Sequence, residues 1–210
     1  ILIQRENSMY KGIKRFLDLI LSLVAVVGLS WLLLIIAGAI KVEDGGNILF
    51  KQKRIGLNKK EFYIYKFRTM KTTTPKDVPT HLLENPESYI TAVGKFLRKS
   101  SLDELPQLFN IIKGEMSIVG PRPALWNQFD LIAERDKYGA NNVVPGLTGW
   151  AQVNGRDELP IPVKSKYDGE YVEKMSFLFD VYIIIRTVFS VFKADGVQEG
   201  RHEDNTDGEK

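Results

Sequence analysis

Leu19–Ile40 reads LILSLVAVVGLSWLLLIIAGAI, 22 residues without a charge. Wound as a helix at about 1.5 Å per residue, the run reaches roughly 33 Å, enough for a bilayer core of about 30 Å. A buried helix of a soluble core usually carries a polar residue at every turn, so this run reads as membrane-inserted. It is too long for the apolar part of a cleavable signal, and no A-x-A-like site follows it. Both flanks are basic: Lys11, Lys14 and Arg15 precede it, and Lys41, Lys51, Lys53, Arg54, Lys59 and Lys60 follow. Positive charge marks the cytoplasmic side of a membrane. A spanning helix should carry it at one end, whereas a segment that dips in and returns on the same face carries it at both. Gly28 and Ser30, near the middle, are where such a helix can bend. The expectation is a re-entrant membrane helix over residues 11–41.

Around this run the averages mislead. The 210 residues hold 29 Lys+Arg against 26 Asp+Glu, a net charge of +3, and the mean hydropathy is −0.14. These values exclude general disorder, collagen and a polytopic membrane protein. There is no cysteine, which removes disulfide scaffolds, thiol nucleophiles and thiolate metal sites. His81 and His202 are the only histidines, too few for a histidine-rich metal site. Residues 199–210 hold five acids and two bases and read as a disordered tail. The other 198 residues then carry 27 bases and 21 acids, a net of +6. A basic body beside a membrane anchor suits anionic lipid heads or phosphorylated ligands. No dense Lys/Arg stripe with interleaved aromatics points to nucleic acid.

Downstream of the anchor, Ile48–Gln52 and the aromatic Glu61–Thr69 (EFYIYKFRT) read as strands joined by a turn over Arg54–Lys60. Residues 71–88 read as a surface loop and Ile90–Arg98 as an amphipathic helix. In SSLDELPQLFNIIKG, Ser101-x-x-Glu104 matches a capping box. Pro106 would then fall too far inside the helix, so a cap at Asp103 is preferred, with Lys113 and Gly114 closing the helix. Met116–Val119 reads as a strand, Gly120–Pro123 as a stiff turn and Leu125–Tyr138 as a helix. Pro145–Arg156 alternates turn glycines with a short strand. Met175–Phe192 is a very apolar helix, interrupted by Asp180 and Arg186, that suits the core or a membrane interface. The fold class expected is mixed α/β, helix-rich with short strands, on a re-entrant anchor with amphipathic interfacial helices.

With cysteine absent and histidine scarce, carboxylates, arginines and lysines remain as catalysts. At a helix N-terminus the Asp103 anion would be favoured by the dipole. An ionised carboxylate can attack phosphorus or hold a hard cation such as Mg2+. Glu104 beside it is a second ligand or a base. Asp103 reads equally well as a plain helix cap. Arg122 between two prolines, Arg156 after Asn154-Gly155, Arg98 five residues before Asp103 and Arg68 at the strand end place guanidinium groups on turns, suited to phosphate. No G-x-x-x-x-G-K-[ST] or G-x-G-x-x-G occurs, so P-loop and dinucleotide-fold chemistry find no support.

KRFLD at 14–18, FKQKRIG at 50–56, YKFRTM at 65–70, the run from Gly94 to Pro123 and PGLTGWAQVNGR at 145–156 closely resemble the bacterial sugar transferases, the monotopic phosphoglycosyl transferases. The resemblance runs from about Lys11 to Gly200. It implies transfer of a sugar-1-phosphate from a UDP-sugar to undecaprenyl phosphate with release of UMP, the first step of capsule, exopolysaccharide or glycoconjugate assembly. It carries the nucleophile over to Asp103, its dyad partner to Glu104, and Mg2+ to both. Arg98, Arg122 and Arg156 match its phosphate-contacting arginines, and Arg68, Gln152 and Asn154 complete the expected substrate-binding set. The domain plan expected is an N-terminal extension (1–10), the anchor (11–41), a cytoplasmic catalytic domain (42–198) at the bacterial inner membrane, and the tail (199–210). Two positions depart from the family. Relatives often have Ser-Pro at the helix break where this chain has Ser30-Trp31, and a basic residue where it has Val144. Residues 157–168, by position, are the expected sugar-selecting segment. The apolar face of Met175–Phe192 is open to lipid, to the core or to a second copy in a homodimer. The rival readings are a membrane-bound glycosyltransferase releasing UDP and a non-enzymatic membrane scaffold of polysaccharide assembly.

Overall fold

The apolar run breaks once. Helices α1 (Leu2–Gly28) and α2 (Ser30–Asp44) meet at Leu29, and their axes diverge by 61°. The bend falls between Gly28 and Ser30 as expected. The computed structural model describes residues 2–74, 86–155 and 159–193. Among these, no single helix is long and apolar enough to cross a membrane, but the bent pair passes that test together. Helix α1 already begins at Leu2, inside the stretch read as an N-terminal extension. The tail, both histidines and most of the loop over 71–88 lie outside the described residues.

The KRFLD motif explains how α1 is held. At helical spacing, Lys14, Arg15 and Asp18 share one face. Arg15 donates to the carbonyls of Ile111 (2.5 Å) and Ile112 (2.8 Å) in the last turn of another helix. Asp18 accepts from Ser117 Oγ (2.7 Å) and from the Ile118 N–H (3.1 Å). Tyr10 and Lys14 both reach Asp180 Oδ2. The outer face is apolar and bare: Val24, Val27, Trp31, Leu34 and Ile35 are each 60–73% exposed. On α2, Ile36 and Ile40 turn inward against Phe67 and Leu97. Both arms of the bent pair therefore dock on the same domain, and the tip between them presents a surface unsuited to water.

In that domain, β1 (Leu49–Ile55) and β2 (Glu61–Phe67) form an antiparallel hairpin, registered from Leu49 opposite Phe67 to Ile55 opposite Glu61. The first strand runs beyond the expected Gln52, because Arg54 pairs with Phe62 and is fixed by its bond to the Pro123 carbonyl (2.9 Å). Helix α3 (Ala92–Lys99) is capped by Thr91 Oγ1, which accepts from the Gly94 N–H, and by the Glu43 carboxylate, which accepts from the Ala92 N–H. Position 94 must be glycine: a Cβ there would stand 2.1 Å from the Thr69 carbonyl oxygen. Helix α4 (Gln107–Lys113) lies over the free edge of β2. Its Asn110, fully buried, completes the strand's hydrogen bonding: Oδ1 accepts from the Tyr65 N–H (3.0 Å) and Nδ2 donates to the Tyr63 carbonyl (2.8 Å). This side chain sets the height of α4, and of the turn before it, above the hairpin.

Strands β3 (Ser117–Val119) and β4 (Gly146–Thr148) pair in parallel. Helix α5 (Phe129–Asp136) starts four residues later than the expected Leu125, because the Leu125 N–H is taken by Gln128 Oε1 and its backbone bridges to Arg54. Helices α6 (Trp150–Val153), α7 (Ile161–Lys174) and α8 (Phe177–Lys193) close the domain. On α8 the two charges read as interruptions are anchors. Asp180 accepts from Tyr10, Lys14 and Tyr171, and Arg186 donates to Asn154 Oδ1. Its Ile183 is fully buried while Leu178 and Phe189 face outward. The architecture is the expected helix-rich mixed α/β fold with short strands.

Candidate active site

Asp103 is not a helix cap. After α3 the chain turns at Ser101, whose left-handed backbone (φ 57°, ψ 16°) is uncommon for a residue with a side chain. A single 3-10 turn, Leu102–Glu104, follows, and α4 begins only at Gln107, with Pro106 at its cap position. Leu102 and Leu105 point into the apolar cluster of Ile36, Phe67 and Leu97, which winds this segment tightly and leaves the acids on the other side. Neither Ser101 nor Pro106 makes a side-chain cap bond, so the capping-box reading fails as well.

The dipole reason for an ionised Asp103 therefore falls away. The Asp103 side chain is 13% exposed, and burial pushes its pKa above the ordinary value; Lys66, Arg98 and Arg122 pull against that rise, while Glu104 adds to it. Lys66 Nζ lies 2.7 Å from Glu104 Oε1 and 3.9 Å from Asp103 Oδ2. Arg122 Nη2 donates to the same Glu104 oxygen at 3.0 Å. Burial opposes the Glu104 anion too, but these two cations outweigh it and hold its carboxyl well below the usual range. The two neighbouring acids thus differ in kind. Glu104 is a fixed anion that organises Lys66 and Arg122, whereas Asp103 is a buried carboxylate beyond hydrogen-bond reach of Lys66. Weak solvation and loose pairing make an oxygen nucleophile more reactive.

The expected arginines part company here. Arg98 stays with the acids: its Nε donates to Thr69 Oγ1 (2.8 Å), and its charge acts on Asp103. Arg122 joins Glu104. Arg68 turns the other way, to Asp44 and the Gly45 carbonyl, and ties β2 to the end of α2. Asn154 is used structurally, donating to the Trp150 carbonyl and accepting from Arg186. Gln152 donates to the Leu147 carbonyl and lines the same cleft as Arg122. Arg156 lies outside the described residues. Lys66 was not anticipated, yet a signal for it exists. On β2 it shares a face with Phe62 and Ile64, which pack inward, and a lysine at an inward register position needs an anionic partner.

The long motifs are contiguous because their backbones touch. A Cβ on Gly120 would stand 2.5 Å from the Val144 carbonyl oxygen, and one on Gly149 would stand 2.1 Å from the Gly120 carbonyl oxygen. The Arg122 turn and the Gly146–Thr148 strand are thereby one rigid unit. For a metal, the described residues contain no cluster of three or more acidic or histidine side chains. Asp103 and Glu104 offer hard oxygens of the kind Mg2+ accepts alongside substrate phosphates and water.

A pH dependence follows. Because burial raises the Asp103 pKa, turnover should fall on acidification at a pH above the ordinary aspartate value of about 4. Lys66→Met removes a cation that lowers this pKa, so the acid limb should move to still higher pH. A limb unmoved by that substitution would show that Asp103 does not govern it.

The model of the family described as bacterial sugar transferase matches residues 9–194. The sugar transferase EpsL of Bacillus subtilis (strain 168) is 39% identical over 190 residues, covering 90% of this chain and 92% of that protein. The exopolysaccharide production protein ExoY of Sinorhizobium fredii is 37% identical, covering 87% of each. The UDP-glucose:undecaprenyl-phosphate glucose-1-phosphate transferase of Xanthomonas campestris pv. campestris is 40% identical over 185 residues, 85% of this chain but 38% of its own length. On this agreement across nearly the whole chain, with the acid pair and its cations brought into one site, the protein is a member of the bacterial sugar transferase family.

Proposed function

We propose that the protein is a phosphoglycosyl transferase that moves a sugar-1-phosphate from a UDP-sugar to undecaprenyl phosphate through a phosphosugar-aspartyl intermediate, releasing UMP. The observation that carries this reading is the buried carboxylate of Asp103, facing Lys66 and set beside a Glu104 that fixes Arg122. An Asp103 oxygen attacks the phosphorus bearing the sugar; the bond to the bridging oxygen breaks, and its electron pair leaves with UMP. A phosphate oxygen of the polyprenyl acceptor then attacks the same phosphorus, and the Asp103 carboxylate returns. Both nucleophiles are anions, so no general base is required, which suits a chain with no cysteine and two histidines. Phosphoryl transfer depends chiefly on positioned positive charge, which Lys66, Arg98 and Arg122 supply. Mg2+, held by Asp103 with Glu104, would add positive charge to the phosphate oxygens.

The bent apolar pair supports a re-entrant anchor, since both its arms dock on the same domain. That arrangement keeps the catalytic domain on the cytoplasmic face of the bacterial membrane, where a soluble nucleotide-sugar and a lipid phosphate meet. The names of two relatives, an undecaprenyl-phosphate glucose-1-phosphate transferase and an exopolysaccharide production protein, support the acceptor and a role in exopolysaccharide production. The test is to incubate the purified protein with Mg2+, undecaprenyl phosphate and a panel of UDP-sugars. UMP is the expected nucleotide product, with EDTA stopping the reaction and Mg2+ restoring it. Release of UDP would assign the chain to simple glycosyl transfer. Undiminished turnover in EDTA would remove the metal from the account.

A further inference from the structure

The acid pair and Arg122 reach the site on two different supports. Asp103 and Glu104 sit just ahead of α4, which Asn110 fixes against β2. Arg122 follows β3 by three residues. The turn that carries it is bound to β4, the Gly120 N–H donating to the Thr148 carbonyl (2.8 Å) and the Gly146 N–H to the Pro121 carbonyl (2.9 Å). Between α4 and β3 lie only residues 114–116, with Gly114 in a left-handed conformation (φ 86°). The N–H groups of Glu115 and Met116 return to the Asn110 carbonyl, which closes this turn but holds no residue of β3. The direction of β3 across that joint decides whether Arg122 Nη2 can stand 3.0 Å from Glu104 Oε1.

Helix α1 bridges the joint. Arg15 takes the α4 side, at the Ile111 and Ile112 carbonyls, and a Cβ on Gly114 would stand 3.3 Å from its Nη2. Asp18, three residues on and on the same face, takes the β3 side. Its Oδ2 accepts from Ser117 Oγ (2.7 Å) and its Oδ1 from the Ile118 N–H (3.1 Å), so both oxygens bond to consecutive residues of β3. Asp18 is 5% exposed. Burying a carboxylate is costly even when its bonds are made, and an apolar residue would pack α1 on β3 without that cost. What the acid adds is direction, because its two bonds fix how β3 lies against α1. We infer that Asp18 is a positioning residue for the transfer: from α1 it sets the direction of β3 and thereby the place of the Arg122 guanidinium beside Glu104. This inference rests on the proposed phosphoglycosyl transfer, in which Arg122 supplies positive charge to the phosphates. Asp18 touches no substrate and acts through Arg122. The helix read as a membrane anchor is then also part of the frame of the active site.

The experiment is a double-mutant cycle on the full-length protein reconstituted in vesicles. Asp18→Ala and Asp18→Asn are each made in the parent and in an Arg122→Ala background, and thermal unfolding checks every variant. Asp18→Ala should lower kcat/KM about tenfold in the parent, as a small misplacement of a charged group does, and less than about twofold where Arg122 is already gone. Asp18→Asn should recover most of the loss, because its amide still accepts from the Ile118 N–H and can donate to Ser117 Oγ. A loss of the same size in both backgrounds would overturn the inference, since Asp18 would then act without Arg122. So would full activity in a folded Asp18→Ala protein. If that variant does not fold, Ser117→Ala, which removes one of the two bonds, should lose about threefold in the parent and nothing further without Arg122; equal losses overturn the inference here too. Where turnover cannot be read, amide hydrogen exchange decides. Exchange over residues 117–122 should quicken in Asp18→Ala while residues 107–113 stay as in the parent, and unchanged exchange over 117–122 would overturn the inference. A parent that transfers no sugar phosphate places the failure with the proposed function, and the exchange measurement still reports whether Asp18 holds the Arg122 turn.

Discussion

Asp103→Asn should abolish transfer, lowering turnover by at least about a thousandfold, while the protein stays folded. The substitution keeps the shape of the side chain and removes the anion that attacks phosphorus. Its effect on stability should have the opposite sign. A carboxyl whose pKa is raised in the folded state contributes stability at acid pH, and that contribution is lost as pH rises through the folded-state value. At neutral pH the ionised Asp103 is therefore a cost, held in place by the surrounding fold. A neutral amide relieves it, so thermal unfolding of the variant should be unchanged or shifted upward. An active Asp103→Asn protein would refute nucleophilic catalysis at this residue. A variant that fails to fold would show that the carboxylate is structural.

The second large effect is on stability. Arg135 and Asp168 are 4% and 1% exposed at their side chains and lie 2.6 Å apart, joining α5 to α7. Burial alone lifts the Asp168 carboxyl above its ordinary range, even with Arg135 pulling it down. Arg135→Leu strands that acid in the interior and should cost about 3–5 kcal/mol, as removal of one partner of a buried pair generally does. Chemical denaturation at fixed detergent measures the loss. Arg135→Leu combined with Asp168→Leu should recover most of it, because the unpaired charge is then gone. A double variant as unstable as the single one would place the cost in packing.

Much of the fold was legible in the sequence because its physical causes are local. The uncharged run, the basic flanks and Gly28-Leu29-Ser30 announce a bent apolar helix pair, and the alternation in EFYIYKF announces a strand. Gly114 ends α4 in a left-handed conformation, as its position after Lys113 implied. The misreadings came where a distant partner decides the outcome. Asp103 looked like a cap because Pro106 follows it at a suitable spacing, but the pull of Leu102 and Leu105 into a cluster with Ile36 and Phe67 cannot be read from that segment alone. Arg68 looked like a phosphate ligand, yet Asp44, 24 residues earlier, claims it.

The site was legible in a similar proportion and for a similar reason. Motif order gave Asp103, Glu104, Arg98 and Arg122, and the structure brings all four together. Lys66 was hidden because its role depends on strand register and on the Asn110 bonds that set α4 above β2. Asp18, Asp168 and Asp180 gave no sign in the sequence of the partners that bury them. Each proves to be a buried anchor between elements far apart in the chain. Asp180 and Arg186, the two charges that interrupt the apolar pattern of α8, attach it to α1 and to the end of α6 and leave its other face free to be apolar.

The central claim is a covalent bond between Asp103 and the sugar phosphate. Its most direct test is mass spectrometry of the protein incubated with Mg2+ and its UDP-sugar in the absence of polyprenyl acceptor. The account predicts one added sugar phosphate on the peptide containing Asp103, formed together with UMP and discharged when undecaprenyl phosphate is added. UMP release that requires the acceptor from the outset, with no adduct on that peptide, would contradict it and point to direct transfer between the two bound substrates.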